Sequence, residues 1–381
     1  MAAPGQFGVN GVQTERHWPL LTLDEAGYVL ERFTLPSVPD TLLWHGQRPF
    51  SATVLAKLTN GAVLFLKRHD PRLRDQSALM EEHAFMTHLA AQGLPVQVPL
   101  KDRAGSSVVE ENGWTYEVFR PLPGLDLYRD VQSWEPFFCV EQAHTAGRTL
   151  AHLHLAAKKY AATVRPDNRL LLSSFQAITY PDLETGLARW GKSQPGLNTI
   201  FETPSWKQDL KSLLHFHDRL KPLLPDIEPL WGHGDWHPSN QFWTSREPSA
   251  EICGIFDFGM SDQTCAAYDL AVAIERTAIT WLAPNYMVAW DQLTALLTGY
   301  QSINSLSPTD RKLVVAFLPL VHVEFALSEV SYYHTLVHDE ASATVAYSDY
   351  LLGHAHWFAG SDGQALLQWL ENTLEQTIPC P

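Results

Sequence analysis

The residues with the most chemistry in this 381-residue chain fall in two short stretches. Trp231-Gly-His-Gly-Asp-Trp-His-Pro-Ser-Asn240 precedes the apolar Phe242-Trp243, and Ile252-Cys-Gly-Ile-Phe256 then leads into Asp257-Phe-Gly259. Read physically, this is a loop followed by a hairpin with carboxylates at both ends. Asp235 and Asn240 project from one loop, and Asp257 ends the returning strand. An oxygen-rich set of this kind suits Mg²⁺, a hard ion that also takes substrate phosphates as ligands. Phosphoryl transfer needs such a metal, a group that accepts or orients a hydroxyl proton, and a cation on the nucleotide phosphates. Taken singly, Asp235 reads equally as a loop-capping residue in an Asx turn. His233 and His237 beside Asp235 also suggest a transition-metal site, but no cysteine and no third ligand of the right type lies near.

Two kinds of element must position these groups. Thr22-Leu-Asp-Glu25 matches a capping box and predicts a helix through Val29 to Phe33, ended by Pro36 and Pro39. Strand-like runs follow at Thr41–His45, Ala52–Thr59 and Ala62–Arg68, with Asn60-Gly61 where a tight hairpin turn wants positive φ. Asp75–Ala91 has helical spacing, with Leu79, Phe85, Met86 and Leu89 on one side, and Gly93 and Pro95 stop it. Asn112-Gly113 marks a second hairpin, between Ser107–Glu110 and Trp114–Phe119. Beyond Pro121-Leu-Pro-Gly124 helical stretches dominate, at 139–157, 206–223, 264–282, 286–300, 309–337 and 362–377, interrupted by one β-like patch from Trp231 to Phe256. The expected organisation is a loose extension over 1–20, a nucleotide-binding lobe over 21–120, and a helical lobe over 121–381 that carries the catalytic loop and the substrate site. A connector near 118–124 is where a hinge and a cleft are expected.

Composition narrows the function class. Apolar residues make up 45% of the chain and charged residues 18%, ordinary globular usage. Cys139, Cys253, Cys265 and Cys380 are scattered, which argues against a disulfide framework or a zinc ribbon and fits a reducing, cytoplasmic compartment. The start of the chain lacks a basic, apolar signal. The longest apolar stretch, Leu313–Leu327, is interrupted by Pro319, His322 and Glu324 and reads as a buried core helix rather than a membrane span. A net charge of −15 disfavours nucleic acid as a partner. Residues 1–120 carry 11 Lys+Arg against 13 Asp+Glu, so the remainder holds 16 against 29, a net of −13. That acidity either draws a cationic substrate or serves solubility alone.

His-x-Asp with Asn five residues after the Asp, then Asp-Phe-Gly after a short hairpin, resembles the aminoglycoside phosphotransferase and choline kinase family. The resemblance covers roughly residues 40–330 and implies an α+β, protein-kinase-like fold of two lobes, a small β-rich N-terminal lobe and a large, mainly helical C-terminal lobe. It implies an ATP- and magnesium-dependent transfer to a hydroxyl of a small molecule, with ATP between the lobes. By the same resemblance Asp235 is the catalytic base, His233 braces its loop, and Asn240 and Asp257 hold Mg²⁺. Lys67 contacts the nucleotide phosphates, Glu82 pairs with Lys67, and Glu117-Val-Phe119 offers backbone groups to adenine. Gly147-Arg-Thr-Leu-Ala-His-Leu-His154 resembles the helix that supports the catalytic loop, with His152 and His154 structural, and Tyr268-Asp-Leu-Ala271 places Asp269 as a buttress. The chain departs from the pattern at the phosphate loop, where Trp44–Ala52 holds one glycine and Ser51 is the residue left to meet phosphates. Glu81 stands beside Glu82, and Glu82 fits better because Phe85, Met86 and Leu89 then fall on the inner face.

Acceptor contacts are expected on the helical lobe, from Asp262, Glu275, Glu324 and Glu329, with Tyr332 and Tyr333 nearby. Glu324 lies in an apolar helical run where an unpaired carboxylate is costly, so it either binds a substrate amine or is paired internally. Amine-bearing alcohols rank first as acceptors: amino alcohols, homoserine-like compounds and aminoglycosides. Two other readings stand beside this one, a catalytically silent nucleotide-binding module acting through partners and a protein kinase. The intact Asp235, Asn240 and Asp257 argue against the first, and the absent glycine-rich signature argues against the second. The sequence leaves open the identity of the alcohol, ATP against GTP, a resistance against a metabolic role, and a homodimeric state.

Overall fold

A computed structural model describes residues 5–172 and 175–375; Cys380 and the end of the last expected helix lie outside them. The chain forms two compact units, one of residues 1–124 with 253–256, the other of 125–252 with 257–381.

The first unit is built on a five-stranded antiparallel sheet in the order Pro39–His45, Ala52–Leu58, Val63–His69, Trp114–Phe119, Val109–Glu111. Alternation sets its faces: Ala52, Val54, Ala56 and Leu58 are buried on one side of their strand, and Leu64 and Leu66 join them from the next. Against them packs the helix Leu23–Leu30, whose Thr22 hydroxyl accepts from the Glu25 N–H while the Glu25 carboxylate accepts from the Thr22 N–H. Leu66 is fully buried, so truncating it to alanine costs about 2–5 kcal/mol. Both Asn-Gly turns form, with Gly61 at φ 87° and the Asn112-Gly113 pair at 50° and 79°. The helix Gln76–Ala91 starts on Asp75, whose carboxylate caps the Ala78 N–H at 2.7 Å.

Part of the stretch expected as a loose extension is a hairpin. Gln6–Phe7 pairs with Gln13–Thr14, and this hairpin binds the loop that opens the second strand of the sheet. Phe7 N–H donates to the Gln47 carbonyl at 2.8 Å, and an Arg16 guanidinium nitrogen donates to the Gly46 carbonyl at 2.7 Å. The polar sequence that suggests a free tail instead satisfies backbone groups of that loop.

The second unit is helical. Helices Val140–Ala157 and Trp290–Gln301 touch backbone to backbone: a Cβ at Gly147 would sit 2.0 Å from the Leu296 carbonyl oxygen, and one at Gly299 would sit 2.0 Å from that of His144. Helix Ala266–Ala278 is buried along nearly its whole length. The stretch expected as one helix over 309–337 is three pieces. Pro308–Phe317 and His322–Ser331 are separated by turns at Pro319, which has no N–H to continue the ladder. Tyr332–Val337 then widens into a π-helix. Pro308–Val337 is long and apolar enough to cross a membrane by composition alone, but its apolar window is entirely buried within the protein. Glu340–Val345, a second π-helix at Ala346–Gly353, and His354–Ala359 fill a region where the sequence suggests no element.

Candidate active site

Strand Leu230–Gly232 pairs with Asp262–Thr264, with Gly232 opposite Asp262, and this pairing brings the loop after Gly232 alongside the turn after Asp257. Gly234 makes the close approach possible. Its φ is 74°, and a Cβ there would lie 2.2 Å from the Met260 carbonyl oxygen. The loop is braced from beneath by Asp269, which is fully buried. Its carboxylate accepts the backbone N–H groups of His233 at 2.9 Å and Gly234 at 2.7 Å. It also accepts from His154 Nε2 at 2.9 Å, and the other nitrogen of that ring meets the Tyr300 hydroxyl at 2.7 Å. Burial pushes the Asp269 carboxyl up, but His154, His233 and the Gly234 N–H more than offset it and hold it below the usual range. The glycine-mediated contact of the two long helices places His154 and Tyr300 for this role.

Above the brace, His233 is fully buried, its ring 4.6 Å from that of Phe258 and 5.4 Å from that of Trp236. Its Nδ1 accepts the Asp235 N–H at 3.2 Å, so the imidazole holds the residue after next. Asp235 itself is partly exposed, with His237 Nε2 3.3 Å from its Oδ1. The Asn240 side-chain nitrogen donates to the Asp235 carbonyl at 2.9 Å and to Oδ2 at 3.1 Å. The same nitrogen lies 3.1 Å from His237 Nε2. Asp257 sits at φ 60°, ψ 66°, a left-handed conformation that a non-glycine residue adopts only under local constraint, and such outliers cluster at functional sites. An amide oxygen and a carboxylate suit magnesium, which takes few protein oxygens and keeps water and phosphate ligands. Among the described residues no group of three or more His, Cys, Asp or Glu is placed to hold a metal ion.

Arg276 is the site residue that sequence reasoning missed. It ends the run Leu270-Ala-Val-Ala-Ile-Glu-Arg276 in the helix Ala266–Ala278, and its guanidinium Nη1 donates to Asp235 Oδ1. The guanidinium carbon lies 5.1 Å from the centroid of the Trp134 ring and 4.9 Å from that of Phe325. Burial lowers its pKa to about 9, against the raising influence of Glu329 and Glu324, so it stays cationic at neutral pH. The signal was adjacent Glu275 and Arg276 directly after the apolar run Leu270–Ile274.

The acceptor candidates divide. Asp262 Oδ1 accepts the backbone N–H of Arg165 at 2.9 Å and of Gln263 at 2.7 Å, so its carboxylate braces the chain. Glu324 is buried and accepts from the Tyr268 hydroxyl, the internally paired alternative. Glu275 belongs to a different cluster, 3.2 Å from His354 Nδ1, and burial raises its pKa to about 7. Glu329 is buried with its Oε2 unbonded, and burial raises its pKa to about 8 although Arg276 opposes this.

In the first unit, Lys67 and two histidines surround a buried acid. Glu117, expected for its backbone alone, is a buried hub: its carboxylate meets His69 Nε2 at 2.9 Å, His83 Nε2 at 2.8 Å and Lys67 Nζ at 3.9 Å. Burial pushes it up, yet the two imidazoles and Lys67 hold it well below the usual carboxylate range. Burial lowers the His69 pKa, against the raising influence of its hydrogen bond and charge interaction with Glu117. Glu82 is buried in the same neighbourhood, 2.9 Å from Arg74 Nε, and acts electrostatically on His69 together with Lys67. The Val118 carbonyl is taken by the Leu100 N–H at 2.7 Å, and Phe119 ends the strand. Ser51 lies in the loop ahead of Ala52–Leu58.

Residues 47–304 match the family model described as "Phosphotransferase enzyme family". The chain is 26% identical over 272 residues to a homoserine kinase of Allorhizobium ampelinum, covering 71% of this chain and 73% of that protein. A homoserine kinase of Methylobacterium radiotolerans is 27% identical over 263 residues, covering 69% and 70%. Among solved structures, a microcompartment-associated aminopropanol kinase superposes with a TM-score of 0.60 at 19% identity, covering 90% of this chain and 99% of that one. An aminoglycoside phosphotransferase from Alicyclobacillus acidocaldarius does so with 0.55 at 14%, covering 94% and 97%. The shared architecture is the protein-kinase-like phosphotransferase fold.

Proposed function

We propose that this chain, which belongs to the phosphotransferase enzyme family, is an ATP- and magnesium-dependent kinase of a small, amine-bearing alcohol. The reading rests on one observation above others: Asp235 and Asn240 are held by each other in a loop whose backbone is locked by a buried carboxylate. The homoserine kinases among its relatives favour an acceptor of the amino-alcohol kind.

Asp235 orients the acceptor hydroxyl and receives its proton as the hydroxyl oxygen attacks the γ-phosphorus and the bond to the β–γ bridging oxygen breaks. Products are a phosphate ester and ADP. The Asn240 amide oxygen and the Asp257 carboxylate would hold magnesium, which supplies charge neutralisation on the transferring phosphoryl group. Lys67, steered by Glu117 and in the neighbourhood of Glu82, serves the nucleotide phosphates, with Ser51 as an additional contact and the backbone near Phe119 as an adenine partner. Positioning and electrostatics, rather than covalent chemistry, carry the rate enhancement.

Magnesium-dependent ADP release across a panel of small hydroxyl compounds tests the reading. Wild type should turn over at least one amine-bearing alcohol, and Asp235→Ala should abolish turnover while nucleotide binding by calorimetry persists. Undiminished turnover in that variant would remove Asp235 from its role.

A further inference from the structure

Arg276 and Glu329 carry unused bonding capacity on the acceptor side of Asp235. Among the described residues the Arg276 guanidinium has one strong acceptor, Asp235 Oδ1, and one weak one, Met260 Sδ at 3.8 Å. Trp134 and Phe325, whose ring centroids are 5.3 Å apart, both lie to one side of it, and among the described residues its other N–H groups have no further acceptor. Its side chain is only 5% exposed, and buried donors without partners are costly. Glu329 mirrors this. Its residue is 4% exposed, its Oε2 has no hydrogen bond, and it feels Arg276 electrostatically without forming an ion pair with it. A guanidinium whose one ion pair among the described residues is to Asp235 and an acid with an unbonded oxygen therefore lie within electrostatic reach of each other.

The walls of this region are aromatic and constrained. Trp134 adopts a φ of 68°, an outlier for a bulky residue, and packs edge-on against Phe325 at 5.3 Å and Tyr350 at 5.7 Å. Tyr333 and Tyr350 both sense the Glu329 charge. Glu324, the other acid that acts on Arg276, already accepts from Tyr268.

Resting on the kinase reading above, we propose that Arg276 and Glu329 are the specificity-determining pair of the acceptor site. Arg276 takes the carboxylate and Glu329 the ammonium of a zwitterionic α-amino acid, whose side-chain hydroxyl is the group phosphorylated. An amine alone leaves the guanidinium edges unpaired, and a carboxylate alone leaves Glu329 unpaired, so the site rejects molecules with one charge more strongly than a merely apolar pocket would. The same contact has a positioning role. The acceptor carboxylate competes with Asp235 for Nη1 of Arg276, which releases Oδ1 for the hydroxyl only when the matching acceptor is bound.

The test uses ω-hydroxy-α-amino acids with side chains of one to four carbons, each with its decarboxylated amino alcohol and its deaminated hydroxy acid, and reads kcat/KM ratios within each triple. The best amino acid should exceed both partners by about 100-fold. Arg276→Gln should collapse the ratio against the amino alcohol, and Glu329→Gln the ratio against the hydroxy acid, with Arg276→Lys keeping part of the preference. If either variant is inactive, calorimetric binding of the same triple gives the same ratios. An amino alcohol used as well as its amino acid, or ratios unmoved by both substitutions, would overturn the assignment while leaving the kinase reading intact. Failure of every compound despite binding of magnesium and ATP would overturn both.

Discussion

Substituting alanine for Gly234 tests how tightly the site is set. The residue lies between His233 and Asp235, at φ 74°, and the added Cβ would start 2.2 Å from the Met260 carbonyl oxygen. An ordinary contact begins near 3.4 Å, so the loop and the turn after Asp257 must separate by about 1.2 Å. Displacements of about 1 Å at a reacting group cost on the order of 100-fold in rate, or ~2.7 kcal/mol of barrier. The left-handed backbone adds roughly 1–2 kcal/mol of lost stability for a residue with a Cβ. Gly113→Ala is the control: its φ is 79°, but its Cβ would meet nothing within 4 Å. Steady-state kcat from ADP release and denaturant unfolding should therefore separate the two. Both variants lose stability, and Gly234→Ala alone loses about 100-fold in kcat. A Gly234→Ala enzyme within threefold of wild type would refute the claim that this contact sets the position of Asp235.

Other perturbations reach the supports. Asp269→Asn leaves one oxygen for the two backbone donors and His154, so one or more buried donors lose their acceptor; about 1–3 kcal/mol of stability and most of kcat should go, with nucleotide affinity retained in a calorimetric titration. Glu117→Gln breaks a buried ion network and should cost roughly 3 kcal/mol at pH 7 in chemical denaturation while raising KM for ATP. Because the Glu117 carboxyl is depressed in the folded state, its contribution is present above the ordinary carboxylate value near ~4.3 and is lost as pH falls through the lower folded value. The wild-type advantage should therefore hold from pH 5 to 8 and shrink in stronger acid. Arg16→Ala removes the bond to the Gly46 carbonyl, and KM for ATP should rise several-fold with kcat retained if Ser51 and its loop serve phosphate.

What could be read from the chain alone was local. The Thr22–Glu25 capping box, the two Asn-Gly turns and the Asp75 cap are decided by residues within four positions of one another, and each forms. The Asp235 loop was legible because its residues and spacing are contiguous. Arg276 was not, since its partner lies 41 residues upstream and only folding sets it against Trp134, more than a hundred residues away. Glu117 hid for the same reason: in a strand it reads as one polar residue, and its two imidazoles come from a neighbouring strand and a helix. The segment after Glu340 gave no pattern because part of it is π-helical, with i to i+5 bonding that blurs the 3.6-residue period.

The two wide turns have a consequence for how such a protein can change. A π-helical turn holds one residue more than the α-helix it replaces. Deleting a single codon within Tyr332–Val337 or Ala346–Gly353 could tighten the ladder and swing Tyr333 or Tyr350 by about a quarter-turn around its axis, without unpairing the backbone. Losing a residue, rather than replacing one, would thus re-aim an aromatic ring while the helix closes over the gap.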